Sequence, residues 1–310
     1  MLTSFINFHI LITKDFKMTV MRKVMINKAH HGQVREVFTG VKAHQETAAL
    51  IRSHSTNQRD IREEALANLD LQHCRRILDL GCGFGFFSEA LRNKVSTTAN
   101  VTGLDMIPAN EPLFLEVCNR VGVEGRFLAA PVSHVHILPE GSWDLVLCSY
   151  ALYFFPEIIP RIAQLLTPAG LFVTITHAGD NMVELIAAAR TALRKIGFLS
   201  DRECLPIEEI IGRFNAENGR ELLSPWFARI DAADYPNALS FKPDEVSLLL
   251  SYFQFKSPFF LTGIDRDRDG ILNAIAVHLT DVSQSQHGFT ISKDDRIFIC
   301  REPRFPGGRT

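Results

Sequence analysis

Short apolar runs alternate with helically spaced stretches through the middle of the chain. Arg76–Leu80 (RILDL) is a strand-like run that ends in Gly81-Cys82-Gly83-Phe84-Gly85, and residues 86–93 then repeat apolar positions at helical spacing. The pattern predicts strands at 101–105, 125–130, 143–148 and 171–176. It predicts helices at 112–121, stopped by Gly122, and at 157–166, with Thr167-Pro168-Ala169-Gly170 as a turn. Strands that alternate with helices predict a doubly wound, mostly parallel α/β sheet.

The flanks are less regular. Residues 18–73 are polar and His-rich, with helical spacing over 34–51 and 61–71, so we expect two helices ahead of the sheet. Beyond 180 the pattern predicts helices at 181–196, 207–214, 244–253 and 270–279. Residues 227–234 and 238–241 read as paired strands. Residues 289–292 and 296–301 read as a hairpin around Lys293-Asp294-Asp295. Antiparallel strands at the end of a parallel sheet are a common variation. We expect an N-terminal arm and helical segment over 1–73 and an α/β core over 74–180. A cap or insertion carrying part of the sheet follows over 181–290, and a last strand and tail over 291–310.

Composition narrows the class. The 310 residues give a prior of about two domains. With 46% hydrophobic and 22% charged residues the chain can bury a full-sized core, which excludes a disordered tail or a fibre. A formal charge of -2 gives no sign of long-range attraction to nucleic acid or to an anionic membrane. The six scattered cysteines, with no CxxC, fit a reducing cytosol better than a disulfide scaffold. No stretch reaches the ~18 apolar residues of a membrane span. The apolar start (LTSFINFHILIT) lacks a preceding base and a following small-residue cleavage site. It reads poorly as a signal peptide, and a translation start at Met18 or Met21 is the simpler expectation. We therefore expect a cytoplasmic protein, monomeric or homodimeric.

The glycine-rich turn after the first strand carries the chemistry. Such a turn brings backbone N–H groups and a helix start close to a ligand. The third glycine stands at Gly85, not at Phe86 where the dinucleotide fingerprint would put it, and no Lys-Ser or Lys-Thr follows for a Walker loop. Asp79 at the strand end is a poor neighbour for a pyrophosphate and a good one for a cation. Asp105 lies about 20 residues beyond Gly85, the spacing at which an acid hydrogen-bonds ribose hydroxyls.

Asp79-Leu80-Gly81-Cys82-Gly83-Phe84-Gly85 resembles the first motif of class I S-adenosylmethionine-dependent methyltransferases of the small-molecule type. Asp105 matches their ribose-binding acid. Trp143-Asp144-Leu145-Val146 with Ser149-Tyr150-Ala151-Leu152 resembles their fourth strand and its exit. Leu166-Thr167-Pro168-Ala169-Gly170-Leu171 resembles the turn before their fifth strand. The resemblance is good over about residues 70–180 and weaker beyond. It implies a seven-stranded Rossmann-like sheet with an antiparallel last strand and S-adenosyl-L-methionine as cofactor. Its contacts would be Asp79, Gly81, Cys82, Gly83, Gly85, Asp105, Met106, Ala130, Pro131 and Ser149. One position departs from the family: Ala130 stands where many members have an Asp that holds the adenine amino group, with His134 as a nearby substitute. In such a fold Phe38, His44 and Arg59 of the N-terminal segment are expected lid contacts.

Tyr150 and Tyr153 follow the fourth strand and His177 the fifth, at the carboxyl edge where open α/β sheets bind ligands. These three are the candidate catalytic residues. His177 is suited to general-base work near neutral pH, and Tyr153 reads equally well as packing with Phe154 and Phe155. Other motifs have plainer readings. Asp265-x-Asp267-x-Asp269-Gly270 matches half an EF-hand loop, but its twelfth position is Ala276, so we read an acidic helix start. His134-Val135-His136 has the spacing to put two imidazoles on one strand face, yet no third ligand is near, and no metal is expected. His30-His31 reads as a solvated turn, and residues 301–310 as a frayed basic tail.

The sequence thus supports methyl transfer to a small-molecule acceptor, at nitrogen or oxygen, with carbon as a further option. An RNA or protein methyltransferase is the first alternative. The near-neutral charge and the absence of an Asn-Pro-Pro-Tyr or Pro-Cys signature speak against it. A nucleoside-binding protein without transfer is the second, left open by Ala130.

Overall fold

The structure is a computed structural model that describes residue 32 and residues 35–200, 203–262 and 267–304. The apolar N-terminus, Met18, Met21, His30-His31, Asp265 and the last six residues lie outside the described residues.

A seven-stranded sheet runs β3-β2-β1-β4-β5-β9-β6, built from β1 (Arg76–Leu80), β2 (Asn100–Asp105), β3 (Glu124–Ala129), β4 (Trp143–Ser149), β5 (Leu166–His177), β6 (Phe227–Tyr235) and β9 (Asp295–Pro303). Strands β1 to β5 pair in parallel. β9 runs antiparallel to both β5 and β6. The chain is the doubly wound α/β fold that the alternation predicts, with an antiparallel last strand. That strand is inserted between β5 and β6, not added at the edge.

Both faces of the sheet are covered, which is why its strands read as continuous apolar runs. Leu78, Val146, Cys148 and Phe172 point to one core. Ile77, Leu145, Leu147 and Val173 point to the other. The second core is closed by α2 (Ile61–Leu66) and α3 (Glu111–Val121), the latter ended by Gly122 in the left-handed region at φ +85°. The first is closed by α4 (Ile159–Leu165), α5 (Val183–Lys195), α6 (Pro206–Arg213), α8 (Val246–Phe260) and α9 (Arg268–Ser285). The short α7 (Gly219–Leu223) leads into β6. α1 (Val41–His54) packs on α8 and on a separate two-stranded sheet of β7 (Ala238–Phe241) and β8 (Phe289–Ser292).

Five local expectations are corrected. Residues 227–234 and 238–241 do not pair with each other: β6 pairs with β9 and β7 with β8. Residues 289–292 and 296–301 form no hairpin for the same reason, because β8 and β9 belong to different sheets. Residues 86–93 make only a 3-10 turn at Ser88–Leu91. The guanidinium of Arg62 takes the Phe86 carbonyl at 2.8 Å, the acceptor an α-helix would offer to the Ala90 N–H, and Ala90 turns to Phe87 instead. His134 and His136 sit on a 3-10 helix at Val132–Ile137, not on a strand. Thr167 to Gly170 lies within β5 as an irregularity in its register with β4.

Candidate active site

The glycine loop needs its glycines for conformation. Gly81, Gly83 and Gly85 have φ of +65°, +51° and +93°. A Cβ on Gly81 would stand 2.8 Å from that of Ala151, so the loop can lie against the exit of β4 only with hydrogen there. The Gly81 N–H donates to Leu104 O at 2.8 Å, tying the loop to β2.

Asp105 ends β2 with its carboxylate beneath this loop. One oxygen accepts from Gly83 N at 2.9 Å, and the other from Ile107 N at 2.8 Å. Burial pushes the carboxyl up against the downward pull of these bonds. Asp105 and Met106 remain half-buried, so the acid reaches the cleft. Ala130 N donates to Asp105 O, which brings Ala130 and Pro131 to the same edge. Ser149, half-buried, ends β4 beside them. Asp79 lies deeper. It is 1% exposed and accepts from the Ser88 hydroxyl at 2.7 Å, and burial pushes it up to about 7. The Cys82 side chain turns into the core toward Phe114, so only its backbone faces the loop.

α1 and the residues before it lie over the loop. The His44 ring stands 4.9 Å from that of Phe84, 4.7 Å from that of Phe38 and 5.9 Å, stacked, from that of Phe255 in α8. Its Nδ1 is buried without a hydrogen-bond partner, and burial followed by the charge of Lys256 lowers its pKa to about 4. Arg59 is elsewhere, paired with Glu64 at 2.9 Å.

A second group of polar side chains sits at the ends of β4 and β5. His177 Nδ1 is 2.6 Å from Asp295 Oδ1, and the Tyr150 hydroxyl donates to Asp295 Oδ2 at 2.7 Å. An ionised carboxylate only accepts, so Nδ1 carries the proton and Nε2 is the acceptor, with the Lys293 ammonium 3.5 Å from it. Lys293 Nζ lies 3.1 Å from Nδ1 and 4.0 Å from Asp295 Oδ1, with the Tyr150 ring beneath it at 5.2 Å. Lys293 and His177 hold the Asp295 carboxyl below the usual range against its burial. Burial, reinforced by Lys293, lowers His177 to about 4 and leaves it neutral at pH 7. Tyr150 sits at φ +52°, a strained position for an aromatic residue. Burial raises its pKa and that of Tyr153, with the charge of Asp295 adding to both. Tyr150 therefore acts as a hydrogen-bond donor, not as a base.

The Tyr150 and Tyr153 rings stack on His177 at 4.7 and 5.6 Å. Tyr153 and His177 then line a cavity of about 30 Å³ together with Phe38, Asn181, Phe214 and Lys256. The three expected catalytic residues thus come together. Lys256, Lys293, Asp295 and Asn181 join them without having been singled out. Lys256 had one visible signal: it is a lone cation in the apolar run Phe253-Gln254-Phe255-Lys256-Ser257-Pro258-Phe259-Phe260.

Residues 78–174 match a family described as "Methyltransferase domain". Over those residues the chain is similar to a methyltransferase domain. Curated relatives include the ubiquinone biosynthesis O-methyltransferase of Cronobacter sakazakii, 30% identical over 129 residues, covering 39% of this chain and 51% of the relative. The trans-aconitate 2-methyltransferase of Escherichia coli is 31% identical over 124 residues, covering 39% and 46%. The chain spans about half the length of the curated relatives it matches. The structure of YcgJ from Bacillus subtilis is similar with a TM-score of 0.47 and 16% identity, covering 78% of this chain and 97% of that one.

The cofactor of such a domain is S-adenosyl-L-methionine, and the loop fits it. Three glycines leave the floor bare, Asp105 offers an acid to ribose hydroxyls, and the unpartnered Nδ1 of His44 lies close above. At Ala130, half-buried beside the loop, no acid is present, and its N–H donates to Asp105 O at 3.0 Å.

Proposed function

We propose that this chain transfers a methyl group from S-adenosylmethionine to a small-molecule acceptor. The observation that carries this is the adjacency of two half-sites. The glycine loop with Asp105 abuts the His177–Asp295–Tyr150 group, and Lys256 faces His44 on one side and His177 on the other. The cofactor supplies a sulfonium-bound methyl group, so the rate depends on the placing of the nucleophile and on the exclusion of water.

Each side chain then has a task. Asp105 holds the ribose. Gly81, Gly83 and Gly85 admit the cofactor close to the backbone. Asp79 supports the loop through Ser88, and Met106, Ala130, Pro131 and Ser149 form the edge of the nucleoside cleft. His177 is the neutral imidazole nearest the acceptor's proton, and because burial and Lys293 hold it to about 4 it is a weak base that orients a hydroxyl or amine more than it deprotonates it. Asp295 is a positioning residue that fixes the His177 tautomer, and Tyr150 holds Asp295 in turn. Tyr153 packs against the imidazole and walls the cavity. Phe38 and His44 act as the lid, with residues 181–290 as the cap that shapes the acceptor pocket. A small acceptor suits the enclosed cavity and the formal charge of -2 better than RNA or protein.

The test is incorporation of labelled methyl into three separate fractions: small molecules, RNA and protein. Label in the small-molecule fraction, lost in His177→Ala, is expected. Label in RNA or protein alone contradicts the reading.

A further inference from the structure

Lys256 has no counter-charge. Among the described residues no carboxylate lies within ion-pair distance of its ammonium, and its one strong electrostatic neighbour is another cation, Lys293. Lys293 differs, since it has Asp295 at 4.0 Å. Lys256 emerges from an apolar helix face between Phe255 and Phe259 into the cavity shared with His177, Tyr153 and Asn181. Asn181 is 1% exposed and its Oδ1 is buried without a partner. Its carboxamide presents either a donor or an acceptor to the cavity, according to which way round it sits. An unpaired ammonium in such surroundings is unfavourable, and an oxyanion is the group that removes the penalty.

We propose that this cavity is the head-group subsite for the acceptor and that Lys256 selects an acceptor bearing an oxyanion, a carboxylate or a phenolate. The cavity, about 30 Å³, has room for such a head and not for a whole molecule. The body of the acceptor therefore passes between the cap helices. Asn181 gives the second polar contact to the head, and the rings of Tyr153 and Phe214 bound it. Burial and the charge of Lys293 bring Lys256 down to about 7, and a bound oxyanion reverses this. Lys256 is thus a specificity residue, distinct from the orienting His177. The inference rests on the methyltransferase reading.

Matched probes test it on the full chain in the presence of S-adenosylhomocysteine at pH 7. Ligand-observed NMR titrations compare benzoate with benzamide, and pentafluorophenolate with pentafluoroanisole. At least one anion is expected to bind about tenfold or more tightly than its neutral partner. Lys256→Met is expected to abolish that preference while the affinity for S-adenosylhomocysteine changes less than about twofold. The pair that shows the preference tells carboxylate from phenolate. Equal binding of both partners, or no saturable binding of either anion up to about 50 mM, overturns the proposal. So does a loss of S-adenosylhomocysteine affinity in Lys256→Met as large as the loss for the anion, since Lys256 would then hold the cofactor's own carboxylate. Failure of the wild type to bind S-adenosylhomocysteine sinks the methyltransferase reading itself and is told apart by that control.

Discussion

Asp105 and His177 mark the two halves of the proposed site, and substitutions at Asp105 and at Asp295 test them. Asp105→Ala removes the acid proposed to meet the ribose, together with the anchors of the Gly83 and Ile107 amides. A loss of S-adenosylhomocysteine affinity of about tenfold or more is expected by calorimetry, with Asp105→Asn losing less because it keeps one acceptor. Asp295→Asn leaves the shape of the second half intact but offers His177 a donor as readily as an acceptor, so the imidazole loses its fixed tautomer. A fall in kcat with an unchanged Kd for S-adenosylhomocysteine is expected from steady-state kinetics.

Residue types at short range were what the sequence disclosed best. Gly81, Gly83 and Gly85 follow β1 and Asp105 ends the next strand, β2, so a short stretch of chain holds all four and their spacing is readable. Lys293 and Asp295 were hidden because Lys293-Asp294-Asp295 reads as a polar turn, yet both are 5% exposed. Their burial depends on β9 entering the sheet beside β5, and no local pattern encodes that.

At the scale of elements, α1 and the loop it covers are the mobile candidates. The His44 ring has no hydrogen bond at Nδ1 and is held by Phe38, Phe84 and Phe255 alone. Amide exchange in α1 is expected to slow when S-adenosylhomocysteine binds, and His44→Ala to weaken that binding. Unchanged exchange in α1 would remove the lid role. Arg62 is a structural counterpart. Its guanidinium bonds Asp60, Glu89 and the Phe86 carbonyl, and so joins α2 to the segment after the glycine loop. Arg62→Ala is expected to cost roughly 1–2 kcal/mol in urea unfolding, because the buried guanidinium's bonds are lost while its partly exposed carboxylate partners can turn to water. The strands of the core were legible from their apolar runs and the caps from Gly122 and its like. The pairing of β6 with β9 and of β7 with β8 was not, since pairing partners far apart in sequence share no periodic signal.

The whole molecule has a pH signature. His44 and His177 are lowered to about 4 in the folded chain from 6.5. Between those values the unfolded state binds protons that the folded state refuses, so stability falls as pH drops from 6.5 towards 4. A shift of this size is worth roughly 3 kcal/mol per histidine. Lys256 is lowered from 10.5 to about 7, so by the same rule it contributes a rise in stability as pH increases from 7 towards 10.5. Lys256→Met is expected to raise the melting temperature at pH 7, as the removal of a half-buried cation with no ion-pair partner among the described residues should. The affinity for an acidic acceptor is expected to fall as pH rises past the titration of Lys256. The groups that face it are His44 from α1, His177 from β5 and Lys293 from the turn after β8.

The central claim is that the glycine loop and Asp105 hold S-adenosylmethionine next to an enclosed acceptor site. Calorimetric titration of the full chain with S-adenosylhomocysteine, wild type against Asp105→Ala, tests it most directly. Saturable one-to-one binding by the wild type and a loss of about tenfold or more in the variant are the predicted result. No binding by the wild type, or equal binding by both, would contradict it.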